Sequence, residues 1–159
     1  MLVRCGRMST AARMVRCTPT TTRKWGSVIA DDERLFPPTP HPFVRNRLVS
    51  AERVNRLEGQ PTDGGGTALA IKALLAGREM LLMEVRREKG LLDAEHAHPD
   101  HESICYLVSG RMRVVIGGES FIAEPGDAWI HSPGVLHYHE TLEDSVQIEA
   151  KSPPRKAWI

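Results

Sequence analysis

Residues 90–110 read GLLDAEHAHPDHESICYLVSG, and residues 126–137 read GDAWIHSPGVLH. Six of the chain's seven histidines fall between His96 and His139. His96 and His98 are two apart, so on an extended strand both imidazoles face one side. His137 and His139 repeat that spacing about forty residues further on. Two neighbouring strands that each deliver imidazoles into one cavity make a bound transition metal the leading reading. The seventh histidine, His41, stands beside a proline and is read as a surface residue.

Working outward, short apolar runs alternate with Gly and Pro punctuation. ALAIKALL and EMLLMEVRRE flank the turn at Ala76-Gly77, and QPTDGGG at residues 60–66 is a loop. SICYLV and RMRVVI flank Ser109-Gly110, which reads as a hairpin turn. ESFIAE follows Gly117-Gly118, DAWIH follows Pro125-Gly126, and VLHYHE leads towards a separate strand SVQIEAK. Eight or so short strands at this spacing predict an all-β sandwich or barrel. The barrel is expected over residues 48–152, with residues 153–159 as a tail whose Trp158 packs across it. Residues 25–47 form an irregular arm, because Pro37, Pro38, Pro40 and Pro42 forbid a regular element. Its expected anchors are Trp25 and Phe36.

Composition narrows the function classes. Six of the 21 basic residues precede Asp31 with no acid among them, so the remainder holds 15 basic against 20 acidic residues. A body this acidic lacks the basic stripe of a nucleic-acid binder. No apolar run approaches the roughly 20 residues of a membrane span. Cys5, Cys17 and Cys105 are an odd number without zinc-like pairing, which argues against a disulfide framework. Residues 1–24 read as a disordered leader or an upstream start, with Met8 or Met14 as the true beginning, although an Arg-rich, acid-poor leader also fits a transit peptide. The expectation is a cytoplasmic protein with a small-molecule substrate, no nucleic-acid partner and no membrane association.

The two quoted stretches resemble the two motifs of the cupin superfamily. The first motif is a glycine, His-x-His, an acid and a closing glycine, and the second is a glycine, a Pro-x-Gly turn and a histidine. The resemblance covers roughly residues 48–152 and implies a small single-domain cupin, a jelly-roll β-barrel. It implies one divalent transition metal per chain (iron, manganese, nickel or zinc) held by His96, His98, Glu102 and His137. It also implies a homodimer, with barrel sheets packed together and the arm across them. Members include dioxygenases, isomerases, lyases and non-catalytic binders, so the reaction stays open.

Two residues depart from the motifs. Ser103 occupies the usual acid slot and Glu102 lies one residue away, so the backbone at 99–101 must bulge for Glu102 to reach the metal. A competing account keeps three histidines on the metal, with Glu102 just outside as a base. In the second motif Ser132 stands where a proline is usual. His139, sharing the strand face of His137, is the second candidate for moving a proton. His101 falls in a turn and is read as solvent-facing, Cys105 as a small buried residue, and Trp129 and His131 as wall positions. Tyr106 and Tyr138 either donate a phenol or pack between sheets. Arg86, Arg87 and Lys89 either meet a substrate carboxylate at the mouth or form a solvated edge.

Overall fold

The computed structural model describes residues 34–63 and 68–158; the basic leader and Trp25 lie outside the described residues. One 3-10 turn, Asn46–Leu48, is the only helix among them. Ten strands follow: β1 (Glu52–Val54), β2 (Arg56–Leu57), β3 (Gln60–Asp63), β4 (Leu69–Ala76), β5 (Leu81–Arg87), β6 (Leu92–Asp93), β7 (Glu102–Ile116), β8 (Glu119–Ala123), β9 (Ala128–His131) and β10 (His137–Ser152). All pair antiparallel, in the order β1-β4-β5-β10-β6-β3-β2, with β7 joined to β10, β8 and β9. The sheet curls into a nearly closed jelly-roll barrel. No described helix is long and apolar enough to cross a membrane.

Two long strands, β7 and β10, form the spine. They pair from His137 opposite Ile116 to Ser152 opposite Glu102, with register shifts between Thr141 and Gln147. These shifts correct the expected hairpin at Ser109-Gly110: the chain does not reverse there but runs on as one strand through a bulge. Gly110 has φ +88°, and a Cβ there would collide with the Asp144 carbonyl oxygen and with Ser145. Only glycine permits both that conformation and that approach. The runs at HYHE and SVQIEAK likewise belong to the single strand β10 rather than to two.

Inside, the apolar residues form two clusters. Leu69, Ile71, Leu81, Met83 and Val85 from β4 and β5 pack with Leu91, Ala157 and Trp158. Cys105, Leu107, Met112, Val114 and Trp129 form the second. The tail lies along the mouth beside the arm: Phe36 N–H donates to Pro154 O, and the Phe36 and Trp158 rings are 5.6 Å apart. Trp158 is pinned there because its indole N–H donates to Glu52 Oε2 at 2.7 Å.

Candidate metal centre

His137 enters the barrel at the start of β10, and His96 is bridged to it by reciprocal backbone bonds, His96 N to His137 O and His137 N to His96 O. His98 follows two residues later on the same side. The three rings are buried, and each offers one donor atom so that the three atoms lie within 4.8 Å of one another. What each ring does with Nδ1 decides which nitrogen remains. His96 Nδ1 is 2.8 Å from Ala94 O, His137 Nδ1 is 2.9 Å from Val135 O, and His98 Nδ1 is 3.0 Å from Glu58 Oε1. Carbonyl and carboxylate oxygens only accept, so each Nδ1 carries the proton and each Nε2 keeps a lone pair. Such outer partners orient ligand histidines in metal sites.

Electrostatics favour the same state. Burial, reinforced by neighbouring imidazoles, pushes His137 down to about 3. Burial likewise lowers His96, and pushes His131 well below the usual imidazole value. Uncharged rings at neutral pH are what ligation requires. The donor set therefore fits a divalent transition ion, with His96, His98 and His137 as its protein ligands.

Glu102 is not with them. Its side chain is exposed on the outer face of β7, while Ser103, fully buried, points inward opposite Lys151 and His131. The residues at 99–101 do not bulge in the way that would rescue Glu102, and strand alternation sends it outward. The four-ligand expectation is thus corrected to three histidines. His101 also departs from expectation: it is 1% exposed, its Nδ1 is 2.9 Å from Asp100 Oδ1, and its ring centroid is 4.2 Å from that of His98. His101, His98 and Glu58 form a second convergent trio. There Arg34 Nη2 already bonds both Glu58 oxygens at 2.7 and 2.8 Å, so this trio offers less free donor capacity.

His139 is buried within the cavity wall. Its Nδ1 is 3.0 Å from Asp93 Oδ2, and Asp93 Oδ1 accepts from Arg87 Nη1 at 2.8 Å. His139 Nε2 has no hydrogen-bond partner. Cys105 is fully buried and Trp129 and His131 are wall residues: Trp129 Nε1–H donates to His131 Nε2 at 3.0 Å, and the His131 ring stacks on His137 with centroids 3.9 Å apart. Tyr106 faces outward and is exposed. Of the basic cluster, Arg86 reaches the outer-face Glu84 and Arg87 turns inward to Asp93, so neither stands free at a mouth.

The cavity measures about 30 Å³ and is lined by the imidazoles together with Arg87, Glu149, Lys151, Ala157 and Trp158. That is room for an ion and about one or two waters. A larger groove of about 640 Å³ on the barrel's flank, beside Arg53, Arg86 and Asp144, contains no histidine. Donor chemistry converges only in the smaller space. Glu149 and Lys151 were not singled out from the sequence, although counting alternate positions from His137 along β10 reaches both. Glu58, which holds His98, comes from a tight turn at φ +48° and leaves no such signal.

A jelly roll with three inward histidines on two paired segments defines a cupin. The family model for the cupin domain matches residues 83–150, and the chain belongs to the cupin superfamily. The pectin degradation protein KdgF of Dickeya dadantii (strain 3937) is 31% identical over 100 residues, covering 62% of this chain and 91% of that protein. The solved structure of KdgF from Halomonas sp. is 28% identical, with a TM-score of 0.55 over 58% of this chain and 84% of that one. An RmlC-like cupin from Shewanella frigidimarina NCIMB 400 is 23% identical, with a TM-score of 0.62 over 75% of this chain and 96% of that one, a likeness of fold alone.

Proposed function

We propose that the protein is a metal-dependent cupin enzyme acting on a small oxygen-rich metabolite, with a divalent transition metal held by His96, His98 and His137. The observation that carries this reading is the convergence of three buried imidazoles whose Nδ1 atoms are all committed, leaving three lone pairs aimed at one point. When bound, the ion supplies Lewis-acid chemistry to a substrate oxygen, or redox chemistry if it is iron or manganese. Three protein ligands leave exchangeable positions, as in catalytic rather than structural sites. The likeness to a pectin degradation protein supports a metabolite-processing role with a small sugar-derived substrate. Dioxygenase, isomerase and lyase chemistry all fall within this reading.

The chain's own groups supply the proton handling. His139 is held by Asp93 so that its free Nε2 is left for the proton, and it takes the proton-transfer role that Glu102, on the outside, does not. Glu149 is the carboxylate within the same walls. Elemental analysis of untagged protein tests the reading: close to one transition metal per chain is expected. Less than about a tenth of an equivalent after reconstitution with iron, manganese, nickel or zinc sinks it, because a preformed trio of this kind binds tightly.

The small volume of the cavity, about 30 Å³, favours a second reading, a non-catalytic metal- or small-molecule-binding module. Turnover assays with keto-acids and uronic sugars separate the two. We also propose a homodimer. Ile104, Tyr106 and Val108 of β7, with Ile130 of β9 paired to Ile104, leave an exposed apolar strip on the barrel's outside. Strips of this kind mark protein contacts. Light scattering should give twice the chain mass, and Ile104→Lys should reduce it to the monomer.

A further inference from the structure

The proton and metal roles leave the buried cations of the cavity wall to be explained, and Lys151 is the more deeply buried of them. Lys151, on the inner face of β10, is 2% exposed and lines the same cavity as the three histidines. An ammonium carries three donors. Among the described residues its ion-pair partner is Glu149, whose Oε1 is 3.6 Å from Nζ, a contact longer than a hydrogen bond. The Trp158 ring, which also lines the cavity, stands 5.8 Å from Nζ. Lys151 stands at the cavity wall, where a ligand that brings acceptors can take up its donors.

The charges around the cavity point the same way. Arg87 is matched by Asp93, Lys151 by Glu149, and Arg34 by Glu58. Ligating imidazoles are neutral, and Glu102, the carboxylate expected to offset the ion, lies on the outer face. A divalent ion on His96, His98 and His137 therefore brings positive charge that no protein group cancels, inside walls of low dielectric. An anion cancels it and a neutral ligand does not.

Building on the proposed metal-dependent reading, we propose that Lys151 sets the charge specificity of the site: the cavity takes a carboxylate-bearing ligand whose oxygens accept from Lys151 Nζ. Glu149 is then the competitor that holds the ammonium while the site is empty of ligand. Of the basic cluster, Arg86 serves Glu84 outside, while Arg87 holds Asp93 through Nη1 and lines the same cavity with an unpartnered Nε, so it is a second cation there beside Lys151.

Formate and formamide, alike in size and different in charge, are suitable probes because each carries a C–H proton visible by NMR. Saturation-transfer titrations are run on the full chain, zinc-loaded and metal-free, with zinc content measured on the same samples. The wild type is expected to bind formate about tenfold more tightly than formamide, the scale of a hydrogen bond to a charged group. Lys151→Met should weaken formate by about the same factor, with zinc content and formamide binding unchanged. Glu149→Gln, which frees the ammonium, should tighten formate. Opposite signs from two neighbouring substitutions cannot both come from misfolding; if Lys151→Met fails to fold, Glu149→Gln decides alone. Equal formate binding by wild type and Lys151→Met, weaker binding by Glu149→Gln, or no formate binding by the wild type overturns the proposal. A chain that takes up no zinc sinks the metal reading instead, and the metal-free titrations then judge Lys151 separately.

Discussion

β5 and β10 are neighbours, paired from Leu81 opposite Lys151 to Arg87 opposite Ser145. Both bury alternate side chains towards the same interior. β5 does so with Leu81, Met83 and Val85, whereas β10 buries His137, His139, Thr141, Ser145, Gln147, Glu149 and Lys151. Backbone geometry is the same in each; only the chemistry of the inward residue differs. Burying apolar surface stabilises, at about 25 cal/mol per Å², while burying polar groups costs free energy unless they are partnered. The barrel is thus held together along one strand and carries its chemistry along the next. Several inward atoms of β10, among them His139 Nε2, Thr141 Oγ1 and Gln147 Oε1, have no hydrogen-bond partner. A strand built for stability alone would not leave them so.

The largest expected effect tests that division directly. Met83→Ala removes a fully buried side chain of β5 and should cost about 2–5 kcal/mol of stability. Metal content per folded chain should stay unchanged. His137→Ala should do the reverse, cutting metal affinity by more than the 10–100-fold typical of losing an outer partner, with a smaller loss of metal-free stability. Urea unfolding and elemental analysis on both variants check this. If Met83→Ala empties the metal site while leaving stability intact, the division between the strands is wrong.

Legibility followed the same line. The shared face of His96 and His98 could be read because alternation alone decides it, whereas the approach of His137 rested on the second motif and the burial of Cys105 on its small apolar side chain. The inward set of β10 obeys that rule too, and Glu149 and Lys151 were within reach of it. The failures occurred where one residue of register mattered. Ser109-Gly110 reads equally well as a turn or a bulge; what decides between them is the close approach of Asp144 and Ser145, residues distant in sequence. His101 was assigned to solvent because it sits in a turn, yet Asp100 bonds its ring and His98 stacks near it. Glu58 and Asp93 act through tertiary contacts with His98 and His139, and no local pattern announces them.

A smaller effect separates the strands by acid. Burial works to raise the Glu149 carboxyl, but the Lys151 ammonium, the Ser103 hydroxyl, His98 and Arg87 together outweigh it and bring the group from 4.5 down to about 2. Asp93 is lowered in the same direction, with Arg87 and His139 together overcoming its burial. A depressed carboxyl contributes stability that is complete above its unfolded value and lost as pH falls through its folded value. The Glu149 contribution should therefore fade between about pH 4.5 and about pH 2. Leu81, Met83 and Val85 have nothing to titrate there. Urea unfolding of metal-free protein across that window should show a shallower pH slope for Glu149→Gln than for wild type. An unchanged slope would mean that Glu149 is not held by Lys151 as described.

The smallest effect concerns the residue whose register was misread. Glu102 begins β7 and is exposed on its outer face, while Ser103 beside it is fully buried against the cavity. Glu102→Gln should change stability by no more than about 0.5 kcal/mol, as exposed substitutions generally do. Metal affinity should also be unaltered, because a carboxylate outside the barrel cannot reach an ion held by His96, His98 and His137. Ser103→Glu is the informative partner, since it restores a carboxylate at the inward position where the closely packed wall meets Lys151 and His131. If the folded variant binds metal more tightly and formate more weakly, the inward carboxylate has supplied the negative charge that the three-histidine site otherwise takes from its ligand. A tenfold loss of metal on Glu102→Gln would instead show that β7 is shifted by one residue in solution, and Glu102 would return to the site as its fourth ligand.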